Sequence, residues 1–241
     1  MKIVTAVKLG VNIDHIATLR QARRDMDPDP AAAALVCKQA GADMIVAHLR
    51  RDRRHMQDAD IFKLCALKGE THLEMAAVPE IVAVALKARP GSVCLVPESP
   101  REVTTQGGLN LQANRKPLAW AIGKLQRAGI EVSLFVDPEA ANVRLAKALG
   151  ADTIELCTSA YAETSGKKQR AAELERLELA GYLADEMGLH LHAGHGLDYH
   201  NVRSIARIPR MEALNIGFAV IARAVFVGLK AAVAELKQLV G

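Results

Sequence analysis

The sequence has few aromatic residues, which make up only 3% of its 241 residues. Proteins that bind single-stranded nucleic acid stack bases on aromatic rings, and duplex binders present an extended basic stripe. This chain has neither feature, and its net charge is a mild +4. Apolar runs are also short, because none approaches the roughly 20 residues that a membrane-spanning helix requires. We therefore expect neither nucleic acid nor a membrane as a partner.

Cysteine is scarce and scattered, with four residues far apart in the chain and no C-x-x-C spacing. This pattern gives no sign of a disulfide framework or of a thiolate metal site. The N-terminus carries no cleavage-site pattern of a secretory signal. No linker or low-complexity segment interrupts the sequence. We therefore expect a single domain over residues 1–241 in the reducing cytoplasm.

One structural unit recurs about eight times: a helix-like stretch, a glycine, a compact apolar run and then polar residues. The glycines at the helix-to-strand joints are Gly41, Gly129, Gly150 and Gly188. A glycine directly after a helix adopts the left-handed conformation that ends it. Each joint therefore predicts a helix that stops and a strand that begins.

Eight strands are predicted, and several are continuous apolar runs, which is typical of strands buried on both faces. They cover residues 9–13, 44–48, 73–76, 93–97, 132–137, 153–158, 189–193 and 214–217. Strands that alternate with helices form a parallel sheet with helical crossovers. The length suits a closed α/β barrel, the (β/α)8 or TIM barrel, and an open doubly wound sheet is the alternative.

Titratable and polar residues collect where these strands end. They are Asn12, Asp14, His15, His48, Arg50, Glu74, Glu98, Asp137 and His195. Any one of them alone is better explained by a structural role. Together, at the active face of a barrel, three histidines and a glutamate would provide acids and bases that exchange protons near neutral pH.

Other features of the same edge indicate anionic ligands. A basic cluster spans 50–55, and guanidinium groups after a barrel strand are well placed for phosphate oxygens, although a solvated loop is the plain alternative. Gly196 and Gly217 lie in small-residue turns after strands seven and eight, where barrels often bind phosphate. The loop 98–114 is either a closing lid or an ordinary surface loop.

A histidine-rich run raises the possibility of a metal. His190 and His192 are two residues apart and share one face of a strand, and His195 follows. No acidic residue is close to them in sequence. We favour a protein without a metal.

Several long motifs together identify a family. They are Gly10-Val11-Asn12-Ile13-Asp14-His15, His48-Leu49-Arg50, Leu73-Glu74-Met75-Ala76, Leu95-Val96-Pro97-Glu98, Ala193-Gly194-His195-Gly196 and Leu214-Asn215-Ile216-Gly217. From about residue 9 onward the chain resembles the pyridoxine 5'-phosphate synthases of the deoxyxylulose-dependent vitamin B6 pathway. The resemblance implies a (β/α)8 barrel that assembles as an octamer built from dimers and needs no metal or organic cofactor.

The resemblance also implies a reaction and a set of site residues. The reaction joins 1-deoxy-D-xylulose 5-phosphate to 3-amino-2-oxopropyl phosphate, and it yields pyridoxine 5'-phosphate, phosphate and water. His48 and Glu74 match the acid/base residues of the family, and His195 matches its proton donor. The residues at substrate-binding positions are Asn12, Asp14, His15, Arg23, Arg50, His55, Thr104, Gly196, Gly217 and, by its backbone, Phe218.

The sequence departs from the family pattern at a few positions. Phe218 stands where the family leads us to expect histidine, and Ala222 where it leads us to expect glycine. His72 and His192 occupy positions where we expect asparagine, and Arg51 one where we expect an acid. Two other functions stay open: a metal-assisted aldolase or isomerase of sugar phosphates, and a barrel that binds phosphometabolites without turnover.

Overall fold

The computed structural model describes residues 6–98 and 107–241, which form a closed barrel of eight parallel strands in sequence order. The strands are β1 Lys8–Asn12, β2 Met44–Leu49, β3 Glu70–Met75, β4 Ser92–Leu95, β5 Glu131–Val136, β6 Thr153–Cys157, β7 His190–Gly194 and β8 Ala213–Ile216. The first strand pairs with the last, so the sheet closes on itself. The prediction of a (β/α)8 TIM barrel is confirmed, and the open sheet is excluded.

Helices lie between the strands on the outside of the barrel. Within the described residues they are α1 Asp14–Arg23, α2 Pro30–Gln39, α3 Asp58–Ala66, α4 Pro79–Ala88, α5 Arg115–Arg127, α6 Ala140–Ala148, α7 Ser159–Glu163, α8 Lys167–Glu186, α9 Val202–Ala206, α10 Phe218–Val227 and α11 Leu229–Val240. None of the described helices is both long enough and apolar enough to span a membrane.

The four glycines predicted to end helices all adopt the left-handed conformation. Their φ angles are 104° at Gly41, 77° at Gly129, 87° at Gly150 and 66° at Gly188. A side chain would strain the backbone at these angles, whereas glycine adopts them freely. The local reading of the helix-to-strand joints is therefore confirmed.

The end of the chain differs from the sequence prediction. The sequence pattern over 219–240, with Ala, Val and Leu on more than one face, predicts one last helix, but α10 and α11 are separate helices joined at Gly228, whose φ is 82°. The C=O of Ala224 accepts from the N–H of Gly228, which is a helix-ending bond. The apolar residues that suggested one helix therefore belong to two, each with its own buried stripe.

The main core fills the space between the barrel wall and the helices, with outward-facing strand residues such as Leu9, Ile45 and Leu73 fully buried. Inside the barrel the apolar groups are small. Met44, Val46 and Ala213 form one, and Cys94, Val96, Phe135 and Cys157 form another. Buried polar side chains also face the interior, which is where the candidate site begins.

Candidate active site

His48 lies at the centre of a group of carboxylates at the mouth of the barrel. It is near the end of β2, opposite Glu74 of β3 in the strand register, and only 5% of its surface is exposed. Its Nε2 is 3.1 Å from Oε1 of Glu98, and its Nδ1 is 3.9 Å from Oε2 of Glu74. One imidazole therefore stands between two carboxyl groups, an arrangement that suits proton transfer.

Asn12 and Asp14 brace this histidine from β1 and the start of α1. Oδ1 of Asp14 accepts the backbone N–H of His48 at 2.8 Å, and Asn12 donates from Nδ2 to Oδ2 of Asp14 at 2.9 Å. Nδ2 of Asn12 also lies 3.5 Å from Oε2 of Glu74. These contacts fix the relative positions of three strand ends.

The two half-buried glutamates beside His48 have pKa values shifted in opposite directions. Burial, followed by the nearby carboxylates of Glu155 and Asp14, raises the pKa of Glu74 well above its usual value. Glu98 behaves in the opposite way: burial alone would raise its pKa, but hydrogen bonds with His48 and with the N–H of Arg51 outweigh burial and lower it. The two carboxyl groups beside His48 are therefore shifted in opposite directions, Glu74 towards the protonated form and Glu98 towards the ionised form.

Glu155 was not among the residues predicted from the sequence. It is the central residue of β6, 2% exposed, and its Oε2 accepts from Nδ2 of Asn215 at 2.7 Å. The neighbouring Gly194 makes room for it, because a Cβ there would collide with Oε1 of Glu155. A charged residue in the middle of an otherwise apolar strand was the signal that could have identified it.

The basic loop after β2 supplies Arg50 and His55. Arg50 is 4% exposed, and its guanidinium faces Asp52 at 3.4 Å. The His55 ring centroid is 6.1 Å from that of His48, and burial lowers the pKa of His55. Nδ1 of His55 accepts the N–H of Met56, so a neutral ring carries its proton on Nε2.

His195 occupies a constrained position after β7. Its φ of 80° is left-handed, and Oγ1 of Thr158 donates to its carbonyl at 2.5 Å. Burial lowers the pKa of His195, although the charges of Glu155 and Glu163 oppose the change. Non-glycine residues adopt such angles where the surrounding structure enforces them, often at functional sites. Gly196, with φ of 77°, lies next to it, where a Cβ would approach that of Ala162 to 2.7 Å.

The loop after β8 leads into the N-terminus of α10. Gly217 packs against Asn12, whose Cβ would be 3.0 Å from an added Cβ. The N–H groups of Val220 and Ile221 donate to the carbonyl of Gly217. The N–H groups of Phe218 and Ala219, which come earlier in the first turn, have no carbonyl acceptor within the helix. Phe218 is 72% exposed, and its ring meets that of His15 edge to face at 5.4 Å.

One predicted residue is not described, and another lies at the far end of α1. Thr104 lies outside the described residues, together with the rest of residues 99–106 of the predicted lid. Arg23 is exposed in the last turn of α1, nine residues after Asp14, which corresponds to about 13 Å along the helix axis. The arginine of α1 that points inward is Arg20, whose guanidinium binds both carboxylate oxygens of Asp60.

The histidine-rich run of β7 is distributed along the barrel. Nδ1 of His190 lies 2.8 Å from Oε1 of Glu212 near the beginning of the strand, and His195 follows the strand at its other end. Among the described residues, none of the three belongs to a group of ligand atoms that could hold one metal ion. At the mouth of the barrel, the acid and base groups that lie close together are His48, Glu74 and Glu98.

Comparison with known proteins assigns a family. The family model described as pyridoxal phosphate biosynthesis protein PdxJ matches residues 9–241. A pyridoxine 5'-phosphate synthase from Elusimicrobium minutum is 54% identical over 97% of this chain and 98% of its own length. The corresponding protein from Geobacter sulfurreducens is 50% identical over 97% of this chain and 98% of its own.

Solved structures with low sequence identity share the fold. A thiamine phosphate pyrophosphorylase from Pyrococcus furiosus superimposes with a TM-score of 0.63 at 17% identity, covering 97% of this chain and 95% of its own. A protein named KGPDC from Streptococcus mutans gives 0.67 at 12% identity, with 98% of each chain covered. At these identities the similarity concerns the barrel alone.

Proposed function

The chain belongs to the family of pyridoxal phosphate biosynthesis protein PdxJ, whose members include enzymes named pyridoxine 5'-phosphate synthase, and from this premise we propose its reaction. It condenses 1-deoxy-D-xylulose 5-phosphate with 3-amino-2-oxopropyl phosphate. The products are pyridoxine 5'-phosphate, inorganic phosphate and water. The observation that supports the proposal is that His48 and Glu74, 3.9 Å apart, stand at the carboxyl end of the barrel, where His195 and the glycine turns after β7 and β8 also lie.

The condensation is a series of proton transfers, which requires several acids and bases around one pocket. Imine formation and loss of water need an acid, enolisation needs a base, and phosphate loss and ring closure need both in turn. His48 and Glu74 fill these roles in our account. Because its pKa is raised, Glu74 is suited to give a proton and then take one back, while the carboxylate of Glu98 supports the charge of a protonated His48.

His195 acts as the proton donor in a later step. It approaches the opening from β7, and its lowered pKa means that a proton received during the reaction is easily returned. Its left-handed backbone is held by the hydrogen bond from Thr158 to its carbonyl. Glu155 lies beneath both Glu74 and His195, and its charge acts on the pKa of each. We therefore assign Glu155 an electrostatic role in stabilising positive charge that develops on the substrates.

Two phosphorylated substrates require two anion sites. Arg50 and His55 form one, together with Thr104 of the predicted lid. The Gly196 turn and the N-terminus of α10 after Gly217 form the other, because free backbone N–H groups at a helix start attract phosphate. The N–H of Phe218 provides such a group without a histidine side chain. Asn12, Asp14 and His15 line the same opening, and Arg23 is assigned to substrate binding by its motif alone.

The proposed enzyme needs no metal or organic cofactor, since its acid and base groups cover each proton transfer. We propose that residues 1–241 work as one domain and that the protein forms a homo-octamer built from dimers. Apolar side chains on α10 support self-association, because Phe218, Val225 and Phe226 are 72%, 74% and 86% exposed. Light scattering at working concentrations would measure the mass of the assembly.

Product identification tests the proposed reaction. The purified protein should convert the two substrates, one of them isotopically labelled, into labelled pyridoxine 5'-phosphate that mass spectrometry detects. Each substrate alone should give no ring product. A protein that binds both substrates but forms no product, or that cleaves one substrate by itself, would contradict the proposal.

A further inference from the structure

A group of potential metal ligands lies inside the barrel, below the residues at its mouth. His72 of β3, Cys94 of β4 and Glu155 of β6 all point to the interior, and they are 0%, 0% and 2% exposed. One ligand atom from each lies within 4.8 Å of those of the other two. The group contains a nitrogen, a sulfur and an oxygen donor, so it is more than a cluster of acids.

His72 is the residue that points to a missing ligand. Its Nδ1 is 2.6 Å from Oγ of Ser92, which leaves Nε2 facing Oε2 of Glu155 at 3.8 Å. Within residues 6–98 and 107–241, this buried Nε2 makes no hydrogen bond. Buried polar atoms in native proteins are nearly always paired, so an unpaired nitrogen aimed at a carboxylate and a thiol indicates an occupant between them.

Among the described residues, further unpaired polar atoms lie near His72 and Glu155. Oγ of Ser133, Nδ1 of His192 and Oδ1 of Asn215 are buried and also lack a hydrogen-bond partner among the described residues. The His192 and His72 rings are 6.0 Å apart between centroids. The strand register places His192 beside Glu155. The middle of the barrel is therefore a polar chamber with more donors and acceptors than the chain itself satisfies.

We propose that His72 Nε2, Cys94 Sγ and a Glu155 oxygen bind a divalent transition metal of the zinc class. Imidazole, thiolate and carboxylate are the ligands of tetrahedral zinc, whereas magnesium and calcium prefer sets of oxygens. Water completes the fourth position. Metal binding displaces the thiol proton of Cys94, as it does in other thiolate sites.

The distance between the His72 and Glu155 ligand atoms suits a zinc ion after a small contraction of the site. Two ligands on a tetrahedral zinc at about 2.0–2.1 Å each are about 3.4 Å apart, and the present His72 to Glu155 separation is 3.8 Å. The proposal concerns binding alone, and it shares Glu155 with the electrostatic role assigned above.

Cobalt provides a direct test, because a cobalt ion bound to a thiolate has a charge-transfer absorption that histidine and carboxylate ligands do not produce. The full-length protein would be stripped with EDTA, titrated with Co²⁺ and dialysed. We expect one tightly held ion per chain with the thiolate band, and Zn²⁺ should displace it. X-ray absorption of the zinc form should then show one sulfur ligand.

Two variants and one control identify the ligands. Cys94→Ser should abolish the thiolate band, and His72→Asn should weaken binding by at least about tenfold, since even outer-shell changes cost about 10–100-fold. Cys37→Ser is the matched control, because Cys37 is fully buried on α2 outside the barrel. Circular dichroism would verify that each variant is folded. Folded wild-type protein that retains no metal, or a band that survives in Cys94→Ser, would overturn the proposal.

Discussion

The ion pair between Arg20 and Asp60 gives the most quantitative prediction. Nη1 and Nη2 of Arg20 donate to the two oxygens of Asp60 at 2.7 and 2.6 Å, and the side chains are 10% and 5% exposed. Arg20 also donates to the carbonyl of His55 at 3.3 Å, while Asp60 accepts the N–H of Gln57 at 2.8 Å. The pair therefore ties α1 and α3 to the basic loop of the site.

Asp60→Asn keeps the shape of the side chain and removes its charge, which leaves the guanidinium buried without a counter-ion. Breaking a buried pair in this way costs about 3–5 kcal/mol. For a chain of this size, about 1 kcal/mol changes the melting temperature by roughly 2–4 °C. The melting temperature should therefore fall by about 6–20 °C in thermal unfolding followed by circular dichroism.

Glu173→Gln on α8 is the matched control. Glu173 accepts from Arg176 at 2.8 Å, a similar distance, but the two side chains are 23% and 45% exposed. Exposed pairs contribute about 0.2–1 kcal/mol. The melting temperature of Glu173→Gln should therefore fall by no more than about 4 °C. Equal small changes in the two variants would refute the reasoning that burial makes the Arg20 pair expensive to break.

Three further predictions concern the site. Glu74→Gln should lower kcat by about 10²–10⁴-fold, the usual contribution of an acid/base residue, and a loss below tenfold would remove Glu74 from the mechanism. The same variant should melt at a higher temperature than wild type as pH rises above 4.5. The reason is that the raised pKa of Glu74 makes the stability of wild type fall as pH approaches the folded-state pKa. A difference in melting temperature between the two proteins that does not change with pH would contradict this assignment. Gly217→Val should raise KM for one substrate through the contact with Asn12, and an equal increase for both substrates would contradict the assignment of two anion sites.

The barrel could be predicted because its signals are local. At four joints a glycine after the helix and a buried apolar run after the glycine are adjacent in sequence, and Gly41 and Gly150 have the backbone angles that this interpretation requires. The prediction of one last helix was wrong, because there the local signals were misleading. Both sides of Gly228 have helical patterns, and only the packing of two separate stripes shows that the chain turns there.

The site was predicted in part. His48 and Glu74 are each at a strand end, and closing the barrel brings them to 3.9 Å, so the position in the repeat was sufficient. Glu155 could not be found in this way, because its importance depends on its distance from residues on other strands. The ion pair of Arg20 with Asp60 was missed for the same reason, since 40 residues separate the partners.

The central claim is that the His48 and Glu74 site makes the pyridoxine ring by acid/base chemistry. The most direct measurement follows phosphate release and pyridoxine 5'-phosphate formation together, in EDTA-treated wild-type protein supplied with both substrates. The account predicts that the two products appear in equal amounts at the same rate, and that His48→Asn loses both signals while staying folded. Phosphate release without the ring product, or undiminished turnover in His48→Asn, would contradict it.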